Sequence, residues 1–344
     1  MGLNFSLLTP VAAETVVGER GFAQEVKPAT QCIPLHANQS IPTYIASNQC
    51  FELQGNNQIT GNIVIDGKLF IKAGRSATMM SQSSITLQKG GELTVRGQLE
   101  IGAFATLVLN EATFTCQGLI SALNGAQILA TGNNDIRNIG RLLLEEGSTM
   151  HIGGQGTFRS TGRLVLEQAT AMIAGTTAFT NGGIISLQQG SRLILGQKAN
   201  MNNIGRLQSE PDCVFALQGQ SYLTNNRGFQ FTGTLSLADG AILQNEAPLR
   251  MHPESYFDLS QSSQILNHHT IEVGGKSLMQ NSARVLNDGV FAIKKTGTVR
   301  LSQGSLLLNT GTFRNEGGVL TTETQHNFKN EHIVSGRYSR DQGH

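Results

Sequence analysis

Residues 179–195 read FTNGGIISLQQGSRLIL, and this stretch contains the pattern that decides the fold. Its first turn is Asn181-Gly182-Gly183, because glycine adopts positive φ without steric cost and asparagine tolerates the left-handed region. Apolar residues two positions apart then share one side of the chain, first Ile185 and Leu187 and then Leu193 and Leu195, with a second turn at 188–190 between them. Two-residue alternation over segments this short predicts β-strands joined by tight turns.

The turn asparagine of this stretch recurs about once every 21 residues, a period that indicates stacked repeats. An apolar residue usually lies two positions before each asparagine, and a glycine usually lies two positions after it. The recurring asparagines are Asn138, Asn181, Asn203, Asn226, Asn245, Asn267, Asn287 and Asn309, with Ser160 in one intervening place. A constant repeat of this kind predicts coils whose strands pair with their equivalents in the next coil, so that long parallel sheets form.

The repeated asparagines have a physical reason to stack inside such a coil. An amide group both donates and accepts, so inward-facing copies can hydrogen-bond from coil to coil as a ladder. The apolar residue two positions earlier lies on the same side of the strand, which favours the inward position. The alternative is that these asparagines only form exposed turns.

The sequence therefore predicts an all-β fold, a right-handed parallel β-helix (β-solenoid) with coils of about 21 residues and an internal asparagine ladder. A leucine-rich repeat has a similar period, but its asparagine follows an L-x-L pair and its return segment is helical or 3₁₀. In this chain the asparagine precedes the pair, and no stretch shows helical periodicity.

Three segments are predicted along the chain. Residues 1–50 are expected to form an N-terminal cap, residues 51–320 a solenoid of about twelve coils, and residues 321–344 a C-terminal cap or tail. Residues 1–13 have an apolar run and small residues suited to signal cleavage, although no basic residue precedes the run and Pro10 interrupts it. A secretory signal and a strand or cap of the mature protein are both open interpretations.

Composition and charge exclude several function classes. The 344-residue chain has 25 basic and 24 acidic residues, so its charge predicts no nucleic-acid partner. No apolar run approaches the length of a membrane-spanning helix. The adjacent His268 and His269 face opposite ways on a strand, so we assign no metal, and no motif indicates a catalytic residue or a cofactor.

The four cysteines differ in their place in the repeat. Cys116 occupies an asparagine place and is expected to be buried, whereas Cys213 lies in a broken repeat. Cys32 and Cys50 precede the regular repeats and are the plausible disulfide, which would suit an oxidising compartment. Two free thiols at these positions are the alternative.

Two sets of residues are candidate ligand surfaces. In the first set, one place in the repeat holds Arg141, Arg163 and Arg206, and a second place four residues further on holds Glu145, Glu167 and Glu210. Both places are expected to face outward. They form either a surface for an acidic sugar or a solvated face. The second set lies in aromatic-rich coils beside an interruption at residues 251–253: Tyr222, Phe229 and Tyr256. These aromatic rings suit stacking on carbohydrate, or they fill the core of a distorted coil.

The copies at 179–195 and 306–320 resemble repeats of bacterial filamentous-haemagglutinin-type adhesins and autotransporter passengers. The resemblance covers roughly residues 60–320. It implies a right-handed parallel β-helix at the cell surface that serves in attachment, aggregation or biofilm.

These observations favour a non-enzymatic, extracellular or cell-surface protein: an adhesin, a matrix protein or a filament subunit. The expected partners are further copies of the chain, stacked end to end as a homo-oligomer or filament, and cell-surface carbohydrate. The alternatives are a carbohydrate-active β-helix enzyme, namely a polysaccharide lyase or glycosidase, and a secreted carbohydrate-binding effector. Such an enzyme needs carboxylates clustered on one face, and the aspartates of this chain do not share a place in the repeat.

Overall fold

All regular structure in the described part of the chain is β-strand. The computed structural model describes residues 31–331 and 334–336. Its 43 strands form three parallel sheets. Within these residues no helix is long and apolar enough to cross a membrane.

The strands are named here by the sheet to which they belong. Sheet 1 has 15 strands: Ile33–Leu35, Cys50–Leu53, Lys68–Ile71, Glu92–Val95, Thr113–Cys116, Asp135–Asn138, Thr157–Ser160, Ala178–Asn181, Asn200–Asn203, Tyr222–Asn225, Ile242–Asn245, Gln264–Asn267, Arg284–Asn287, Leu306–Asn309 and Phe328–Asn330. Sheet 2 has 14 strands: Asn57–Ile59, Ser76–Met79, Gln98–Ile101, Leu119–Ala122, Arg141–Leu144, Arg163–Glu167, Ile184–Gln188, Arg206–Ser209, Phe229–Phe231, Leu249–Met251, Thr270–Val273, Val290–Ile293, Thr312–Asn315 and Val334–Gly336. Sheet 3 has 14 strands: Tyr44–Ile45, Asn62–Ile65, Ser84–Leu87, Thr106–Asn110, Gln127–Thr131, Thr149–Ile152, Thr170–Ile173, Arg192–Leu195, Val214–Leu217, Thr234–Leu237, Tyr256–Leu259, Lys276–Met279, Thr298–Leu301 and Val319–Thr322.

One coil passes through sheet 1, sheet 2 and sheet 3 in that order, for example as Ala178–Asn181, Ile184–Gln188 and Arg192–Leu195. Each strand pairs in parallel with its equivalent in the neighbouring coil. Equivalent residues of successive coils are mostly 22 apart. Sheets of 14 and 15 strands make about 14 coils, which confirms the predicted all-β parallel solenoid.

The coils extend beyond the predicted boundaries of the solenoid at both ends. Ile33–Leu35 pairs with Cys50–Leu53, and Phe328–Asn330 pairs with Leu306–Asn309. The segments 1–50 and 321–344, predicted as caps, therefore each contain coil strands. Residues 1–30 lie outside the described residues, and they include residues 1–13, for which a signal sequence and a strand or cap are both open interpretations.

The interior consists of columns of equivalent side chains. Alternate residues of each strand point inward, as Leu193 and Leu195 do, and both are fully buried. Phe158 and Phe179 stack in one column with ring centroids 4.6 Å apart. Because each coil covers the apolar side chains of the coil before it, burial at about 25 cal/mol per Å² accumulates along the whole stack.

From Asn181 to Asn330 an asparagine ladder runs unbroken along the inner side of sheet 1, at the ends of its strands. In each step the Nδ2 of one asparagine donates to the Oδ1 of the asparagine in the next coil, and the first four N···O distances are 2.7, 3.0, 2.9 and 2.8 Å. The members are Asn181, Asn203, Asn225, Asn245, Asn267, Asn287, Asn309 and Asn330. Some amides also donate to the backbone, as Asn245 does to the Thr270 carbonyl oxygen at 3.2 Å. The ladder thus satisfies polar groups that are enclosed by an apolar core.

The structure corrects one predicted ladder member. Asn225 is fully buried in the ladder, whereas Asn226 is exposed and donates to Asn202 Oδ1 at 2.8 Å. The reason is the two-residue alternation, because the buried Leu223 lies two positions before Asn225 and so shares its side of the strand.

The upstream end of the ladder has a different chemistry. Asn138 donates to Ser160 Oγ at 3.0 Å and to the Arg163 carbonyl oxygen at 2.9 Å. Asn181 Oδ1 has no hydrogen-bond partner among the described residues, so the continuous ladder begins at Asn181. Further upstream Cys116 lies in register with Asn138 and is buried.

A column of glycines lies where the chain passes from sheet 1 to sheet 2. A Cβ placed on Gly183 would lie 2.5 Å from the carbonyl oxygen of Thr161 and closer still to that of Gly162. Gly162 is crowded in the same way by Gly140. Only residues without a side chain allow the backbones of successive coils to stack this closely.

Cys32 and Cys50 are joined by a disulfide that closes the first coil. The bond links positions 18 residues apart, and it spans the strands Ile33–Leu35 and Tyr44–Ile45. It links the first coil to the second at an end where, among residues 31–331, Ile33–Leu35 and Tyr44–Ile45 each have one partner strand.

Reduction of the disulfide is expected to destabilise the first coil by about 3 kcal/mol, because a cross-link of this span restricts the unfolded chain. Hydrogen exchange at the amides of Ile33–Leu35 should accelerate, while exchange at central strands such as Arg192–Leu195 should not change. The double variant Cys32→Ser/Cys50→Ser serves as the control, since reductant should have no further effect on it. If hydrogen exchange accelerated equally in all coils, the prediction that the effect is confined to the first coil would be wrong.

Candidate functional site

The three predicted arginines are exposed on the outer face of sheet 2. Arg141 and Arg163 are in register on neighbouring strands. Ile184 occupies the next place in the row and separates them from Arg206. The predicted arginine row is therefore one pair and one separate residue.

Glu145, Glu167 and Glu210, the glutamates predicted to accompany these arginines, lie at the C-terminal ends of the sheet 2 strands and have several partners. Burial, followed by the charge of Glu167, raises the pKa of Glu145 above its ordinary value, and the charge of Arg141 opposes this shift. Gln189 donates from its side chain to Glu167 at 3.2 Å and from its backbone to Glu210 at 3.1 Å. The carboxylates of Glu167 and Glu210 thus stabilise the turn at Gln189, where the chain leaves sheet 2.

The structure does not bring the predicted aromatic residues together, so the hypothesis of one aromatic surface is wrong. Tyr222 lies on sheet 1, Phe229 on sheet 2 and Tyr256 on sheet 3. Phe229 points inward, is 4% exposed and packs edge-on against Phe231 at 6.3 Å. The two tyrosines are half-buried, and Tyr222 donates to Gln244. Their separation follows from the coil, which turns each successive strand to a new face.

Sheet 2 is interrupted beside Arg206, and a groove of about 560 Å³ opens there. The strands Arg206–Ser209 and Phe229–Phe231 pair only through Gln208 and Gln230. Ser209 Oγ takes over part of the missing pairing, because it accepts from the Thr232 backbone N–H at 3.0 Å. A local break in the sheet thus creates a depression in an otherwise continuous face.

The groove presents hydrogen-bonding groups and positive charge. Its polar lining includes Arg206, Gln208, Gln230, Thr232, Arg250 and His252. Arg250 Nε donates to Glu272 at 3.1 Å, whereas the Arg206 guanidinium has no ion pair with any residue in the described ranges. Amides and guanidinium groups suit the hydroxyl and carboxylate groups of a sugar.

Sequence reasoning found Arg206 but missed Gln230 and Arg250. A signal was present, because residues 251–253 interrupt the repeat and the ladder spacing shortens to 20 residues between Asn225 and Asn245. The shortened coil and the coil after it each have a three-residue strand on sheet 2, where most coils have four or five residues. Shortening of a strand can open a groove, but the residues that line the groove depend on which residue pairs between neighbouring strands are lost.

Other titratable groups lie outside the groove. His268 Nδ1 lies 2.8 Å from Asp288 Oδ2, and His268 Nε2 lies 3.9 Å from Glu246 Oε1. Burial raises the pKa of the Cys116 thiol to about 12, so it is protonated at neutral pH. Over residues 31–331, no group of three or more histidine, cysteine or acidic side chains is placed to hold a metal ion.

The fold defines the chain as a parallel β-solenoid protein. No protein-family model matches it, and no curated protein matches its sequence. Among solved structures it is similar to the TibC-catalysed, hyper-glycosylated fragment 55–350 of TibA, with 16% identity and a TM-score of 0.29. That similarity covers 86% of this chain and 99% of the TibA fragment.

Proposed function

We propose that this protein is a non-enzymatic extracellular or cell-surface scaffold of the adhesin type, which attaches through carbohydrate. The observation that carries the proposal is the outer face of sheet 2, where Arg141 and Arg163 lie in register on neighbouring coils and a polar, cationic groove opens beside Arg206. Groups in register on neighbouring coils suit a repeating polymer, because successive sugars can meet them in turn.

Two further features support this role. The disulfide between Cys32 and Cys50 suits an oxidising compartment such as the cell exterior. The groove lining supplies donors and cations, whereas glycoside hydrolysis uses paired carboxylates flanking the bond that is cleaved. The lining of the groove therefore suits binding of a carbohydrate without its cleavage.

The proposal is tested by coating beads with the protein and measuring their retention on cells and on immobilised polysaccharides. Soluble protein is incubated in parallel with the same polysaccharides, and new reducing ends are measured. Retention above that of albumin-coated beads, without new reducing ends, is the expected result. New reducing ends above a no-protein control would instead indicate an enzyme, and retention equal to that of albumin would contradict attachment.

Association of copies end to end is part of the proposal. Each sheet grows by one parallel strand per coil, and a strand edge at the end of such a stack can pair with another chain. Light scattering and electron microscopy at rising protein concentration test this: filaments or stacked particles are expected, and particles of constant mass would restrict the proposal to single adhesive units.

A further inference from the structure

Four arginines gather where sheet 1 meets sheet 2, and sequence analysis recognised only two of them. Arg137 and Arg159 are in register on sheet 1, and Arg141 and Arg163 are in register on sheet 2. In each pair the backbones are about 4.8 Å apart, the spacing of neighbouring strands. We call these residues the corner arginine cluster.

The cluster carries more positive charge than its surroundings neutralise. All four side chains are exposed. Arg137 forms an ion pair with Asp135 at 2.5 Å, whereas the other three have no ion pair or side-chain hydrogen bond with any residue from 31 to 331. Like charges on adjacent strands repel each other, so the cluster is locally unfavourable until an anion approaches.

The cluster is confined to two coils. On sheet 1 the neighbouring places in its row are Thr115 and Thr180, and on sheet 2 they are Leu119 and Ile184. The Cα atoms of Glu145 and Glu167 lie four residues further on than those of Arg141 and Arg163, about 13 Å along the strand. Arg141 and Glu145 still interact, because the charge of Arg141 opposes the raised pKa of Glu145. The positive charge is therefore a local feature of a chain whose net charge is only +1.

An apolar side chain lies within the cluster. Ile139, between Arg137 and Arg141, is 53% exposed. Guanidinium groups bind carboxylates in a bidentate manner, and an aliphatic surface between them can contact the apolar face of a sugar ring. Nucleic acid is less suited, because its binding depends on a broad positive field and on aromatic stacking.

We propose that the corner arginine cluster binds an acidic polysaccharide, with its carboxylate groups on the guanidinium groups of two successive coils. This inference rests on the proposed adhesive function and specifies the ligand class. It names a site distinct from the groove, which lies further along the chain at residues 206–252.

The test measures binding of the full-length protein to immobilised polygalacturonate, dextran sulfate, neutral dextran and double-stranded DNA. The double variant Arg141→Gln/Arg163→Gln is compared with Arg192→Gln/Arg300→Gln, which removes the same charge from exposed arginines on sheet 3. We expect polygalacturonate to bind and the cluster variant to lose at least about tenfold in affinity, because the variant removes two charge-assisted contacts and each contributes to binding. The sheet 3 variant should change affinity by less than about twofold, because long-range charge effects are screened by salt.

Each outcome of this test supports or overturns the inference. Binding of dextran sulfate as well as polygalacturonate, with the same dependence on the cluster, supports it and widens the anion to sulfate. Equal losses in the two double variants, or no binding to either acidic polysaccharide, would overturn it. Tighter binding of DNA than of both acidic polysaccharides would replace it with a nucleic-acid site. Because all four substituted residues are exposed, melting temperatures should match the wild type.

The failure of this inference can be separated from failure of the proposed function. If coated beads attach to cells but the purified protein binds no acidic polymer, only the ligand class is wrong. If the polymer binds and its chains are cut, the non-enzymatic function is wrong while the site remains.

Discussion

Replacing Gly183 with alanine is expected to destabilise the protein by about 3 kcal/mol or more, because the new methyl group has no space. Its Cβ would lie within 2.5 Å of the Thr161 carbonyl oxygen and closer to that of Gly162, and both are backbone atoms of the preceding coil. The two coils must separate at this corner, which weakens ladder and sheet hydrogen bonds nearby. Calorimetric unfolding of the purified variant measures the loss.

Gly61→Ala is the matched control for this substitution. A Cβ at Gly61 meets no atom within 4 Å, and its φ lies outside the left-handed region. The change should alter the free energy of unfolding by no more than about 0.5 kcal/mol. Similar melting temperatures for the two variants would show that the glycine column is not required for close stacking.

Replacing Asn225 with leucine is expected to destabilise the protein by about 3 kcal/mol, although leucine is apolar and the site is fully buried. Asn203 Nδ2 would lose its acceptor and Asn245 Oδ1 would lose its donor. Both groups would remain enclosed without water, and an unpaired buried polar group is costly.

The neighbouring substitution Asn226→Leu separates the ladder from a general effect of removing asparagine. Asn226 is exposed, and its bond to Asn202 is replaceable by water, so a loss below about 1 kcal/mol is expected. Urea unfolding of both variants under the same conditions gives the comparison. If the two losses are equal, the ladder contributes no more than a surface hydrogen bond does.

The repeat and its ladder could be predicted because both depend on local chemistry. Turn glycines, two-residue alternation and the spacing of asparagines specify a coil without knowledge of distant contacts. The error at Asn226 arose where two asparagines are adjacent, and the alternation from Leu223 identifies the correct one. Asn330 was missed although Phe328 precedes it by two residues, which is the same pattern in a polar segment.

The candidate sites depend on the register between coils, which the sequence does not state directly. Arg137 and Arg159 share a place in the repeat, yet their position beside Arg141 and Arg163 becomes clear only when two sheets meet at a corner. The grouping of Tyr222, Phe229 and Tyr256 failed for the same reason, because nearness in sequence does not mean a shared face in a coil.

The start of the ladder at Asn181 divides the solenoid into two parts that are aligned by different forces. Upstream coils are aligned mainly by apolar columns, in which side chains of similar size can replace one another and no directional hydrogen bond has to be matched. Downstream coils must match one directional amide with another, and a shift of a strand by one residue would turn that amide towards water. A coil that is misaligned downstream of Asn181 therefore loses amide hydrogen bonds in addition to apolar burial, so the alignment of neighbouring coils is most specific from Asn181 onward.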